Sequence, residues 1–283
     1  MRRLVTSEHL LLMTWLLWLR AWRGADAQTV CPSDQTRCNV NADAAIIYRM
    51  ECGGYGTVAQ LPAACAESRI ISNLVITRST VDTLQHRILD GFQLRQLELA
   101  GLGIRSIAPS AFEAIYGRLE VLHLQDNQLE SLPLGVFRTL LRLTRLQLHN
   151  NRLTRLRDGM FDGLTNLVYL TLNANRISAV DQGIWLTTPT LVTLVLEDNL
   201  LGQLVFPDRA LERLEELRLD RNRLGEIKDV IGTGLPNLRR LYFGSNGIDY
   251  LPHGVFQATT NLEVVDLSAN NISELTRESF NGK

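Results

Sequence analysis

Cysteine side chains offer the clearest chemistry in this sequence, since pairs of them form disulfides and groups of four can hold a zinc ion. The chain has four, all close to its amino terminus: Cys31, Cys38, Cys52 and Cys65. Their spacings lack the close pairs that a tetrahedral zinc site draws from one turn, so two disulfides are the preferred interpretation. Four cysteines allow three pairings, and the sequence alone selects none of them.

The segment before the cysteines has the composition of a signal peptide. Arg2 and Arg3 precede the apolar stretch Leu10–Leu19, which is too short to span a bilayer. The small residues of Ala25–Ala27 favour cleavage after them, so we expect residues 1–27 to be a signal peptide and the protein to be extracellular, either secreted or on the cell surface. A retained signal anchor is the alternative. Outside the cell, disulfides would form and persist.

Catalytic motifs are missing from the sequence. It contains no G-x-S-x-G, H-E-x-x-H, C-x-x-C or G-x-x-x-x-G-K-[ST] pattern, so we expect neither an enzyme, nor a cofactor, nor a metal site. The 29 basic and 30 acidic residues leave a net charge of -1, with no local run of like charge. This balance argues against nucleic acid as a partner, and membrane attachment would need a segment beyond this chain.

A repeat organises the rest of the chain. The pattern L-x-x-L-x-L-x-x-N-x-L begins at residues 71, 94, 119, 143, 167, 191, 214, 238 and 262. A period of this size predicts a solenoid, in which each coil shares its core with its neighbours. We therefore expect three segments, which are the signal peptide, a cysteine-rich cap over residues 28–70, and nine repeats over residues 71–283, the last incomplete.

The ninth pattern position is asparagine in seven repeats: Asn127, Asn151, Asn175, Asn199, Asn222, Asn246 and Asn270. Buried amides can satisfy backbone groups where a chain turns, so we interpret these residues as structural. Ser79 and Leu102 interrupt the row, and leucine cannot make such bonds, so an irregular turn is expected at Leu102. Large apolar residues also recur behind the strands, except at Arg209 and Gly232, which predicts an irregular back between about Phe206 and Leu235.

From residue 71 onward the chain resembles the extracellular leucine-rich-repeat family of 24-residue type, which includes Toll-like receptors, Slit-like proteins and variable lymphocyte receptors. The stretch Leu143–Leu153, LTRLQLHNNRL, is typical of it. The resemblance implies an α/β fold, a curved horseshoe-shaped solenoid with a parallel sheet on its concave face and a disulfide-bonded amino-terminal cap. The cap of the family favours first-to-third and second-to-fourth pairing. This sequence departs from that cap near Cys38 and at Cys65, so the pairing stays open.

Family members hold protein, glycan or lipid ligands on the concave face, which directs attention to the outward positions of the predicted strands. Tyrosine and arginine are enriched at binding hot spots, which makes Arg145, Tyr169, Arg218 and Tyr242 the candidate ligand-binding residues. His123 and His149 lie on neighbouring coils in different columns and are added to them. Acidic residues, Asp126, Glu197, Asp198 and Asp220, follow the rim of the predicted sheet.

The expected function is recognition of a protein or glycan ligand, as by a receptor ectodomain that continues beyond Lys283. The alternative is an extracellular matrix organiser resembling the small leucine-rich proteoglycans. The sequon Asn271-Ile272-Ser273 predicts a glycan at Asn271.

Overall fold

The computed structural model describes residues 37–42, 46–53, 70–77, 79–86, 89, 92–115, 117–228, 230–231 and 235–280, with side chains from residue 72 onward. The predicted signal peptide, Cys31 and Cys65 lie outside these residues, so the predicted segment boundaries and disulfides remain predictions. None of the helices in this part of the chain has the length and hydropathy that crossing a bilayer requires.

One long sheet of eleven strands runs through the described residues. Its order is β1 (Arg37–Ala42), β2 (Ile46–Gly53), β3 (Ile70–Thr77), β5 (Gln93–Glu98), β7 (Val121–His123), β8 (Arg145–Gln147), β10 (Tyr169–Thr171), β12 (Thr193–Val195), β13 (Glu216–Arg218), β14 (Arg240–Tyr242) and β15 (Val264–Asp266). Strand β1 pairs antiparallel with β2, and every later pairing is parallel. Each parallel step returns the chain through one coil, which makes the fold a parallel solenoid.

Two short sheets are formed by residues that follow strands of the long sheet in the chain. The first pairs β4 (Thr83–Leu84) with β6 (Ser106–Ile107), and the second pairs β9 (Arg155–Leu156) with β11 (Ala179–Val180). Both are parallel and join successive coils. They therefore repeat the coil-to-coil pairing of the long sheet.

Leucines at the middle position of the strands form the core. Leu97, Leu122, Leu146, Leu170 and Leu194 are partners in register and are 0% exposed. Within each strand, the side chains before and after the leucine point to the opposite face of the sheet, because side chains alternate along a strand. Burying one leucine contributes about 1.5 to 3 kcal/mol, and the row continues through every coil. The core is thus continuous along the solenoid, as the repeat predicts.

The asparagines of the repeat are structural, which confirms the prediction. The Oδ1 atom of Asn127 accepts hydrogen bonds from the backbone N–H groups of Leu102 and Ile104, at 3.1 and 3.0 Å. Its Nδ2 donates to the carbonyl oxygens of Leu99 and Leu124, at 2.9 and 3.0 Å. One amide therefore joins its own turn to the preceding coil. The same hydrogen bonds recur at the other asparagines of the row, which we call the asparagine ladder.

The turn at Leu102 keeps part of the regular geometry. Gly101 has a φ of +68°, the same left-handed conformation as Asp126 at +59° in the next coil. The N–H of Gly101 also donates to the carbonyl of the following coil, as the N–H of Asp126 does. The turn nevertheless departs from the next one, as predicted, because Gly103 has a left-handed φ of +73° whereas Gln128, at the same place in the next coil, does not. The buried Leu102 side chain joins the core.

The back of the described coils consists of turns and short 3₁₀ helices, so the α-helical part of the α/β expectation is not seen there. The 3₁₀ helices are Gln182–Thr187 and Arg277–Phe280. The span predicted to be irregular contains one unusual backbone conformation, at Arg209, whose φ is +57°. Every other described non-glycine residue with a left-handed backbone directly precedes an asparagine of the ladder. Aromatic rings stack between coils, with Phe112 and Phe137 5.9 Å apart.

Candidate functional site

The side chains that point away from the leucine core form what we call the outer face of the long sheet. Strand register sorts them into columns that cross the coils. The first column holds Gln96, Val121, Arg145, Tyr169, Thr193, Glu216 and Arg240. The second holds Glu98, His123, Gln147, Thr171, Val195, Arg218, Tyr242 and Asp266. Neighbours within a column are about 4.8 Å apart along the sheet, so they contact each other directly.

Arg145 and Tyr169, both predicted ligand-binding residues, contact each other in the first column. The Cζ atom of Arg145 lies over the Tyr169 ring, 4.8 Å from its centroid. Arg145 is exposed and Tyr169 is half-buried. A ring under the guanidinium attracts the cation and limits the rotamers of its side chain.

Arg218 and Tyr242 form a second pair of the same kind in the second column, with Arg218 Cζ 4.6 Å from the ring centroid. Here carboxylates lie beside the arginine. The Nε atom of Arg218 is 3.2 Å from Glu197 Oε1 and 3.5 Å from Glu216 Oε1. Neither contact is aligned for a hydrogen bond from Nε, so the attraction is one of charge. Glu216 also receives a hydrogen bond from Arg240 Nε at 3.0 Å.

His123 belongs to a hydrogen-bonded chain of three side chains. Its Nδ1 lies 2.6 Å from Gln147 Oε1, and its Nε2 lies 3.1 Å from Gln96 Nε2. Because an amide oxygen can only accept and an amide nitrogen can only donate, Nδ1 donates to Gln147 and Nε2 accepts from Gln96 when the two amides are oriented in this way. In this arrangement the amide oxygen of Gln147 faces the His123 ring.

His149 lies one coil further on, with its Nδ1 3.0 Å from Thr171 Oγ1. Burial lowers the pKa of His149 below its ordinary value, against the opposing pull of Asp126 and with a smaller contribution from His123. Burial of the ring therefore favours its neutral form. Among the described residues, no three or more histidine, cysteine, aspartate and glutamate side chains are grouped so that they could hold a metal ion.

The acidic rim is largely paired within the chain. Arg221 makes hydrogen bonds to Asp198 at 2.5 and 2.8 Å and contacts Glu197 at 3.3 Å. The bond from Arg221 lowers the pKa of Asp198, and that of Arg221 rises in turn. Asn150 donates to Asp126 at 2.6 Å, and Gly244 N–H donates to Asp220 at 2.9 Å.

Sequence reasoning did not select as candidates the residues that surround the predicted ones, namely Gln96, Gln147, Glu216, Arg221 and Arg240, and it noted Glu197 only as an acidic residue of the rim. A signal for some of them was present, since Glu216 and Arg240 are 24 residues apart and so occupy the same position of successive repeats. The orientation of Gln147 carries no such signal. Gln125 was also missed, and its buried Oε1 has no hydrogen-bond partner among the described residues.

The predicted modification sites are only partly within the described residues. Cys38 and Cys52 are directly opposite each other in the β1–β2 register, while Cys31 and Cys65 lie outside. Asn271 is exposed in the turn after β15, and its backbone N–H donates to the Ile248 carbonyl at 2.7 Å. The glycan at Asn271 stays a prediction.

Known proteins match parts of the sequence. Residues 117–177 and 212–272 match the family model described as Leucine rich repeat. The Leucine-rich repeat-containing protein 3B of Danio rerio is 40% identical over 77 residues, which are 27% of this chain and 28% of that protein. The chain thus spans well under two thirds of this curated relative.

Solved structures share the fold at low identity. A leucine-rich-repeat protein of Leptospira interrogans superposes with a TM-score of 0.68 at 24% identity, covering 82% of this chain and 57% of that one. TLR13 in its complex with ssRNA13 gives 0.54 at 24% identity, covering 80% and 28%. The APL1 leucine-rich repeat domain gives 0.50 at 20% identity, covering 80% and 69%. These matches show that the described coils share the fold of leucine-rich-repeat proteins, and that residues 117–177 and 212–272 carry the repeat itself.

Proposed function

We propose that this protein is an extracellular recognition module that binds a protein partner through the outer face of its long sheet. The observation that carries the proposal is the composition of that face, where arginine and tyrosine form two stacked pairs on a rigid, continuous core. Such residues contribute strongly at protein interfaces because they bury a large area at a small entropic cost. In a curved solenoid this face would line the concave side.

The charge of the outer face favours a protein over a nucleic acid. A third column lies two residues beyond the second in each coil and includes Asn173, Glu197 and Asp220. The three columns together carry five carboxylates, Glu98, Glu197, Glu216, Asp220 and Asp266, and three arginines, Arg145, Arg218 and Arg240. A phosphate backbone needs an excess of cations. The ssRNA13 complex of TLR13 therefore offers no guide to the ligand of this chain, whose likeness to TLR13 concerns the fold.

Photo-crosslinking tests the proposed face. A benzophenone amino acid would replace Thr193, in the middle of the first column, and in a matched variant Leu134, which is 61% exposed on the other side of the coil. Each variant is purified, added to cells and irradiated, and the crosslinked proteins are identified by mass spectrometry. We expect a defined protein partner from position 193 and none from position 134. Equal crosslinking from both positions would count against the outer face.

Extracellular location predicts a glycan at Asn271, because only exported chains meet the transferase that modifies sequons. The full chain is expressed in mammalian cells and its mobility is compared with and without peptide N-glycosidase F. We expect the enzyme to shift the wild type, and the Asn271→Gln variant to migrate like the deglycosylated protein. A chain that stays in the cytosol without a glycan would contradict the proposed location.

A further inference from the structure

The two arginine–tyrosine pairs of the outer face have the same geometry but different surroundings. In both, the guanidinium carbon lies over the ring of the residue that follows it in the same column, at 4.8 Å for Arg145 and 4.6 Å for Arg218. Stacking occupies one face of a guanidinium and leaves the N–H groups at its edge available as donors. The difference between the pairs lies in what meets those donors.

At Arg218 two carboxylates of the chain lie beside the guanidinium. Glu197 approaches from the preceding coil, two residues beyond the end of β12, and Glu216 lies on the same strand as Arg218. Arg240 adds a second cation to Glu216 at 3.0 Å. We call this second pair closed, because two carboxylates of the chain lie within ion-pair distance of its arginine.

The outward residues around Arg145 carry no carboxylate. Val121 is its partner on the preceding strand, and the next outward pair along the two strands is His123 with Gln147. Within the described residues, no carboxylate lies within ion-pair distance of Arg145, and its guanidinium makes no hydrogen bond. We call the first pair open, because its arginine has no such carboxylate beside it.

The histidine chain adds a second donor beside the open arginine. While Gln147 Oε1 is engaged by His123, the Nε2 group of Gln147 keeps its N–H donors, and Gln147 lies on the same face of β8 as Arg145. A guanidinium edge next to an amide N–H₂ group calls for a planar acceptor with two oxygens. A carboxylate has that shape and binds arginine through two parallel hydrogen bonds.

We infer that Arg145, supported by Tyr169 and flanked by Gln147, binds a glutamate or aspartate side chain in an extended segment of the protein partner. The inference rests on the proposed function and names the chemistry that the partner presents. Arg145 is the one arginine of the described strand columns without a carboxylate of the chain beside it. A polyanion such as a sulfated glycan is disfavoured, because it would need several open cations, while a single acidic side chain in a peptide needs one.

A peptide with one acidic residue tests this inference without knowledge of the natural partner. The ¹⁵N-labelled protein is titrated with acetyl-Ser-Gly-Glu-Gly-Ser-amide, and the Nε–Hε signals of its arginines are followed by NMR, with Arg145 assigned from its loss in Arg145→Lys. We expect saturable shifts of the Arg145 signal, no shift of the Arg218 signal, and no response to the same peptide with glutamine in place of glutamate.

Variants separate local recognition from general charge. Arg145→Ala is expected to weaken binding of the glutamate peptide by about tenfold, the scale of one lost charge-assisted hydrogen-bonded pair. Arg157→Ala removes the same charge from another, exposed part of the same coil and is expected to leave binding within about twofold at physiological salt. Urea unfolding of each variant confirms that the fold is intact.

The inference is overturned if Arg145→Ala binds the peptide as wild type does, or if Arg157→Ala weakens it equally. It is also overturned if a heparin disaccharide shifts the Arg145 signal and the peptide does not. Failure here leaves the proposed function standing if the crosslinks from position 193 still identify a protein partner. Absence of those crosslinks would instead count against the proposed function.

Discussion

Residues of one type serve different purposes in this protein according to their position in the coil. Asn175 is buried and bonds to backbone groups of its own turn and of the preceding coil, while Asn173, two residues earlier, belongs to the outer face. Arg218 is closed by carboxylates, while Arg145 is open. The column, more than the residue type, decides whether a polar side chain stabilises the fold or is available to a ligand.

Removing one ladder amide tests its structural role. In Asn175→Ala the carbonyls of Leu148 and Leu172 lose donors at 3.0 and 2.9 Å, and the N–H of Leu153 loses an acceptor at 3.0 Å. Because these groups are buried, we expect the free energy of unfolding to fall by about 2 to 4 kcal/mol in urea titrations. Asn173→Ala is the matched control and should cost less than about 0.5 kcal/mol. Equal losses of unfolding free energy in the two variants would contradict the structural role of the Asn175 amide.

His149 makes stability depend on pH in a known direction. Since burial holds its pKa in the fold below the ordinary value of 6.5, the unfolded chain takes up a proton first as pH falls. Stability from this group is complete above about pH 6.5 and is lost as pH falls toward the lower pKa of the folded state. Unfolding in urea should therefore vary less between pH 7.5 and 5 in His149→Gln than in wild type.

The same substitution at His253, an exposed histidine in another coil, controls for the loss of an imidazole as such. A pH profile unchanged by His149→Gln would contradict the assignment of this ring. A profile changed equally by both variants would do so as well.

At the scale of elements, the coil is short and its back is made of turns. The sequence predicts the strands and the core leucines because their period is strong and each leucine has one buried place to go. It fails on the α-helical backing, since apolar spacing alone does not distinguish an α-helix from a 3₁₀ turn in so short a segment. It succeeds at Leu102, where the missing asparagine predicted an irregular turn and Gly103 adds a left-handed residue that the turn of the next coil lacks.

Gly163 shows how closely the backs of two coils approach. Its φ is +89°, and an added Cβ would lie 2.5 Å from Arg138 Cα and 2.6 Å from Arg138 O in the preceding coil. Both atoms belong to the backbone and cannot move aside. We expect Gly163→Ala to lower the free energy of unfolding by about 3 kcal/mol or more, because left-handed strain adds to the clash.

Gly202→Ala is the matched control for Gly163→Ala, since a Cβ there has no heavy atom within 4 Å. Thermal unfolding of the two variants should separate them clearly, with Gly202→Ala within about 0.5 kcal/mol of wild type. If Gly163→Ala unfolds with wild-type stability, the close approach of the coils is wrong.

At the scale of the whole molecule, register converts a linear repeat into columns, and the columns bring together residues about 24 positions apart. The pairs Arg145 with Tyr169 and Arg218 with Tyr242 are such neighbours, and each was predicted as a candidate from its residue type. Their stacking could have been read from the repeat. The closure of Arg218 by Glu197 could not, because that contact crosses from one column to the next and depends on side-chain rotamers.

The most direct test of the outer face compares two double variants for binding to the partner found by crosslinking. The first variant, Tyr169→Ala with Tyr242→Ala, removes both tyrosine rings of the outer face. The second, Leu134→Ala with Leu186→Ala, removes two exposed leucines outside that face, which are 61% and 60% accessible. Binding is measured by surface plasmon resonance after urea unfolding has shown that both are folded. We predict that the tyrosine variant binds at least about tenfold more weakly and that the leucine variant binds as wild type does. The opposite order would contradict recognition through the outer face.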